Sequence, residues 1–167
     1  RGLGDVYKRQ DNWANKAKQM GYRSRAVFKL EEILKKIKFK KSFNNVLDIG
    51  SAPGGWSQYI IKNFPKSKVY AVDILDMEPI EGVIFFKESI EEIDSIGPIN
   101  NLKRKFDLVI SDIAPNLSGI DAVDSENVYM LNKLSLEIAN DYLDLGGLMV
   151  MKTFQNNMLR SLRKDME

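Results

Sequence analysis

The sequence predicts an α/β fold built on a mostly parallel, doubly wound sheet. Three observations carry that expectation. Short, continuously apolar runs alternate along the chain with stretches of helical periodicity, as strands buried on both faces alternate with the helices that cover them. The first such run, Val46, Leu47 and Ile49, passes into Gly50, Gly54 and Gly55 and then into an amphipathic stretch from Trp56 to Asn63, which reads as strand, tight loop and helix. The second run closes on an acid, Asp73, 25 positions after Asp48.

Taken in order, residues 1–10 have no apolar periodicity, and Asp5 to Gln10 reads like translated adapter sequence. They are expected to be a non-native leader outside a single domain over residues 11–167. Trp13 to Met20 is a short polar helix closed by Gly21. Ser24 can cap the next helix, whose Val27, Leu30, Ile33, Leu34 and Ile37 share one face while Arg25, Lys29, Glu32 and Lys36 share the other. Lys68 to Val72 forms the second strand. Val83 to Phe86 forms the third, followed by Lys87, Glu88 and Ser89, and Phe106 to Ser111 the fourth, ending in Asp112. Asp121 to Asp124 opens a long helix with Val128, Leu131, Ser135, Ile138 and Tyr142 on one side, and Gly146-Gly147 is expected to stop it. Leu148 to Met151 is the fifth strand, running into Lys152, and a last amphipathic stretch starts at Asn157. Strand order cannot be read from periodicity.

With 167 residues, 44% of them hydrophobic, one domain with a substantial core is expected. The formal charge of +2 comes from the leader: without Arg1, Lys8, Arg9 and Asp5, 25 basic and 23 acidic residues become 22 of each. Distribution says more than the total. Asp11 to Lys41 carries ten Lys or Arg against three acids, and Ser42 to Glu167 carries twelve against nineteen. That polarity fits either a basic face for an anionic polymer or a solvated lysine-rich helix. The absence of Cys and His removes thiol nucleophiles, histidine catalysis and the usual zinc sites. No apolar run approaches the ~20 residues that span a bilayer, so a cytoplasmic protein with no membrane contact is expected.

The glycine corner fails the dinucleotide spacing at Ala52, and it resembles motif I of S-adenosylmethionine (AdoMet) methyltransferases instead. Glycines there let the backbone turn sharply and approach a ligand, and the helix that follows aims its free amides at it. Asp73 can accept from ribose hydroxyls or simply cap its strand. Asp112 and Lys152 end the fourth and fifth strands, on the same sheet edge as the corner, and Lys29 lies on the helix before the sheet.

Four stretches together carry a more specific signal: Gly21 to Leu30, Asp48 to Gln58, Ser111 to Asn116 and Met151 to Gln155. In order and spacing they resemble the FtsJ/RrmJ (RlmE) family of ribosomal RNA 2'-O-methyltransferases. The resemblance implies a Rossmann-like AdoMet-dependent methyltransferase fold whose last strands are missing here. It also implies methyl transfer to the ribose of a uridine in ribosomal RNA within the large ribosomal subunit, by a monomer that uses no metal. The family's Lys-Asp-Lys-Glu tetrad falls on Lys29, Asp112 and Lys152. Its Glu has no counterpart, so the chain is expected to be a truncated and inactive fragment.

The resemblance makes Lys152 the general base, Lys29 the cation that favours its neutral form, and Asp112 the group that orients it. AdoMet is expected against Gly50, Gly54, Gly55, Trp56, Asp73 and Asp112, with Ser89 or Glu88 at the adenine. Arg23, Arg25, Lys35, Lys36, Lys38 and Lys40 are candidates for phosphate contacts; of Trp13, Tyr22 and Phe28, which could stack on bases or pack, Phe28 is expected to pack and the other two are left open. Alternatives are methylation of transfer RNA or an RNA cap, a non-catalytic module that binds RNA or AdoMet, and, from the glycine corner alone, a reductase.

Overall fold

Apolar runs of five or six residues are too short for helices and need cover on both faces, and here they pair into one parallel sheet. A computed structural model describes residues 3–37, 42–113 and 118–152. Its strands are β1 (Asn45–Ile49), β2 (Lys68–Asp73), β3 (Val83–Lys87), β4 (Phe106–Ser111) and β5 (Leu143–Met151). They lie in the order β3-β2-β1-β4-β5, every neighbouring pair parallel. The helices are α1 (Leu3–Gln19), α2 (Val27–Ile37), α3 (Gly55–Asn63), the short α4 (Gly97–Asn100) and α5 (Asp121–Tyr142), with a 3₁₀ segment at Ile90–Ser95. Among the described residues no helix is long and apolar enough to cross a membrane.

Alternation along the strands divides the core between two faces. On one, Val46, Val69, Leu108 and Ile110 pack beneath Ala17 of α1, Val27, Leu30 and Leu34 of α2 and Trp56, Tyr59 and Ile60 of α3. On the other, Leu47, Ile49, Val72 and Val109 meet Ile90, Ile93 and Ile99 and the α5 residues Ile138, Ala139 and Tyr142. The doubly wound arrangement expected from the sequence is therefore present. Tyr22 is buried in the first cluster, so of the three aromatics named as stacking candidates it is one that packs.

Two boundaries differ from expectation. The helical backbone of α1 starts at Leu3 rather than Trp13, consistent with propagation being far cheaper than nucleation. Gly146-Gly147 does not stop α5, which ends at Tyr142 and passes directly into β5 at Leu143. Phe106 pairs with Leu143 but Leu108 with Leu148, so a step of two residues on β4 faces a step of five on β5. The glycines belong to the outward loop this mismatch creates, and Gly146 has φ 78° there. Lys38, Lys40, residues 114–117 and the stretch from Asn157 lie outside the described residues.

Tyr142 is 1% exposed, and its hydroxyl donates to Asp94 of the 3₁₀ segment. That hydrogen bond, with Lys103 at 3.2 Å, holds the Asp94 carboxyl below its ordinary range. A group shifted this way stabilises the fold above its unfolded value and loses that contribution as pH falls through its folded one. Tyr142→Phe should therefore cost about 1–2 kcal/mol at neutral pH in denaturant unfolding. The cost should shrink as acid protonates Asp94; a pH-independent cost would assign it to ring packing.

Candidate active site

Parallel pairing brings the C-terminal ends of all five strands to one edge, and the loop after the central strand β1 crosses it. Val72 accepts from the amides of Gly50 and Ser51 at 2.8 and 3.2 Å, tying the start of that loop to β2. Asp73 holds the next residue: its Oδ2 accepts from Ala52 N and its Oδ1 from Leu75 N, both at 2.9 Å. So Asp73 anchors two turns at once, and each oxygen keeps a second lone pair for another donor.

The glycines answer to the protein's own packing. A Cβ on Gly50, at φ 71°, would lie 2.2 Å from Ile113 Cγ1. Gly54, at φ 115°, would press on Ile80 and Met77, and Gly55 has Ser24 Cβ 3.0 Å from where its own would be. They bring β1, β4 and the start of α2 close enough to leave a narrow niche lined by Ser24, Ala26, Asp48, Ser51 and Asp112. Trp56 serves the same closure, since its buried indole donates to Ala26 O at 2.8 Å. What Trp56 leaves for a ligand is its backbone amide in the first turn of α3.

Arg23, a candidate phosphate contact, acts instead as a clamp. Its guanidinium donates to the carbonyls of Pro53, Glu78 and Pro79 at 3.1, 2.6 and 2.9 Å, and its amide to Gln58 Oε1 at 2.8 Å. The glycine loop is thus stitched to the 78–80 turn.

The niche is strongly acidic. Asp48, flanked in β1 by Leu47 and Ile49, is 1% exposed and accepts from Ser57 Oγ at 2.6 Å. Burial pushes its carboxyl from 3.8 up to about 7, with Asp112 and Asp73 adding repulsion and Ser57 opposing. Beside it the hydroxyl of Ser51 is buried without a hydrogen-bond partner. A strand residue between two apolar neighbours was the available signal for Asp48; nothing in the spacing pointed to Ser51 or Ser57. Among the described residues no three acids are placed to hold a metal ion. The set instead suits an organic cation: crowded carboxyls that gain from a positive charge, and an orphaned hydroxyl beside them.

Asp112 and Lys152 meet as their register dictates. Ser111 pairs with Met151, and Lys152 N donates to Ser111 O at 2.9 Å, so the next residue of each strand lies beside the other. Asp112 Oδ1 is 3.5 Å from Lys152 Nζ. Burial raises the Asp112 carboxyl and the Lys152 charge opposes the rise. Lys29 is not drawn into this pair: its side chain is 67% exposed and its ammonium contacts Glu32 at 3.5 Å. Ser89 caps the 3₁₀ segment by accepting from Glu91 N at 3.2 Å, leaving its own proton unassigned.

The pattern that defines FtsJ-like methyltransferases matches residues 22–167. The chain is 43% identical over 150 residues to "Ribosomal RNA large subunit methyltransferase E" of Vesicomyosocius okutanii, covering 88% of this chain and 71% of that protein. To the protein of the same name from Chromobacterium violaceum it is 40% identical over 159 residues, covering 93% and 78%. A crystal structure of a ribosomal RNA methyltransferase from Plasmodium falciparum superposes with a TM-score of 0.75 at 30% identity, over 86% of this chain and 85% of that one.

Burying Asp48 has a pH signature. Its folded value is raised, so its contribution to stability is complete below the unfolded value near 3.8 and is lost as pH rises to about 7. Asp48→Asn keeps an acceptor for Ser57 and removes the titration. The variant should gain on the wild type in unfolding free energy between pH 4 and 7, by about 4 kcal/mol at most, and stay level above. A difference that does not vary with pH would mean that Asp48 is not held neutral.

Proposed function

Because the chain belongs to the FtsJ-like methyltransferase family, we propose that it transfers the methyl group of AdoMet to the ribose 2'-hydroxyl of a uridine in large-subunit ribosomal RNA. The observation that carries this reading is the Asp112–Lys152 pair, 3.5 Å apart on the same sheet edge as the acid-lined niche. The names of the relatives support the substrate class. A ribosomal substrate supports a cytoplasmic site of action, and we propose that the protein acts there as a monomer on the large subunit.

AdoMet supplies an electrophilic methyl carried on a positively charged sulfur, and its charge suits Asp48, Asp73 and Asp112. Gly50, Gly54 and Gly55 shape the loop that would hold it, and the Trp56 amide faces it from α3. The free lone pairs of Asp73 accept from ribose hydroxyls, and Ser89 offers its proton at the adenine end. Lys152, as the neutral amine, would accept the proton of the RNA 2'-hydroxyl as the oxygen attacks the methyl in line; the methyl–sulfur bond would break as the oxygen–methyl bond forms, its electron pair leaving with the sulfur as a neutral thioether, and Lys152 would become the ammonium. Asp112 positions that amine. Lys29 joins only by leaving Glu32, which costs little because an exposed ion pair is weak.

In the full-length enzyme, Lys152→Met should keep AdoMet affinity within a few-fold in calorimetry and lower methyl transfer to large-subunit RNA by ~10² or more, as loss of a general base does. Near-normal turnover would take Lys152 out of the mechanism.

A further inference from the structure

A groove of about 640 Å³ is lined by Trp13, Lys16, Arg25, Phe28, Lys29 and Lys35 together with Glu31 and Glu32. Ala26 lines both cavities. Trp13 is a large aromatic left 49% exposed. Its ring meets that of Phe28 with centroids 5.1 Å apart and planes inclined at 47°, joining α1 to α2. Lys16 Nζ stands 5.1 Å from the Trp13 centroid and 5.0 Å from that of Phe28. The charge around the rings is positive, with four cations, Lys16, Arg25, Lys29 and Lys35, against Glu31 and Glu32. Both acids are already engaged by lysines of α2, Glu31 by Lys35 and Glu32 by Lys29 and Lys36. Arg25 has no ion-pair partner among the described residues and is exposed.

We propose that the Trp13–Phe28 pair is a stacking platform for an unpaired base of the substrate RNA, flanked by Lys16 and Arg25 for the adjoining phosphates. The proposal rests on the RNA reading above and extends it to a named subsite. Trp13, exposed beside the half-buried Phe28, offers a face that any base can cover, and cations beside it suit the backbone that carries the base. The groove is within the ~300–1,000 Å³ of sites that enclose a small ligand, so it has room for a nucleotide. Because Ala26 lines both the groove and the niche, a base seated there belongs to a nucleotide near the one being methylated. A helical duplex keeps its bases stacked and paired, so the platform takes single strands, loops or bulges.

The test measures binding of a fluorescently labelled single-stranded RNA oligonucleotide to the wild type and to Trp13→Leu, which keeps apolar contact with Phe28 but removes the aromatic face. The proposal expects the variant to bind RNA about tenfold more weakly or worse, with AdoMet affinity and melting temperature close to wild type. Should the variant fail to fold, the wild type still reports. Trp56 is 4% exposed, so iodide quenches mainly Trp13, and bound RNA should shield that emission. Wild-type RNA affinity in Trp13→Leu, or RNA binding that leaves iodide quenching unchanged, would overturn the platform alone. Failure of the wild type to bind RNA would overturn the RNA reading along with it.

Discussion

The carboxyl group of Asp48 is carried into the interior between two other acids, and much of the construction around the niche keeps it there. Ser57 supplies its hydrogen bond from the first turn of α3, which fixes that helix against β1. The loop between them has to turn within a few residues, and it is held by β2 on one side, through Val72 and Asp73, and by Arg23 on the other. Glycine at positions 50 and 55 lets β4 and the start of α2 close over the acid. The result is a small region of concentrated negative charge, partly suppressed by protonation of its most buried member, which suits a positively charged ligand.

The site divides into a part that is fixed and a part that can move. Asp112 and Lys152 are set side by side by strand register, and backbone pairing continues as far as Lys152 N. Lys29 stands on a helix surface and is held by one exposed contact. In the proposed mechanism, a base fixed by the sheet and a cation delivered by a rotamer change would let substrate RNA complete the arrangement. The basic groove on α1 and α2 is lined by Lys29 itself.

Much of this was legible in the sequence, for identifiable reasons. Strands buried on both faces leave continuous apolar runs, so β1 to β4 were found almost to the residue. Parallel pairing then puts Asp112, Lys152 and the glycine corner on one edge without further information. The start of β5 was missed because glycines after a helix usually end it, whereas here they sit in a loop thrown out by uneven register with β4. The contacts of Gly50 with Ile113 and of Gly55 with Ser24 could not be anticipated, because they are invisible in one dimension. The direction of the Lys29 ammonium was equally out of reach, since a helical lysine has several rotamers of similar energy. The clamp made by Arg23 depends on three carbonyls far from it in sequence.

The central claim is that an acid kept largely neutral by burial, with its acidic neighbours adding to the effect, is the counterpart of a cationic methyl donor. Calorimetric titration with AdoMet near pH 7, repeated in buffers of different ionisation enthalpy, tests it directly. The positive charge should pull the Asp48 value down, so binding should release protons, and Asp48→Asn should abolish the release. Heats independent of buffer in the wild type, or proton release that persists in Asp48→Asn, would contradict the account.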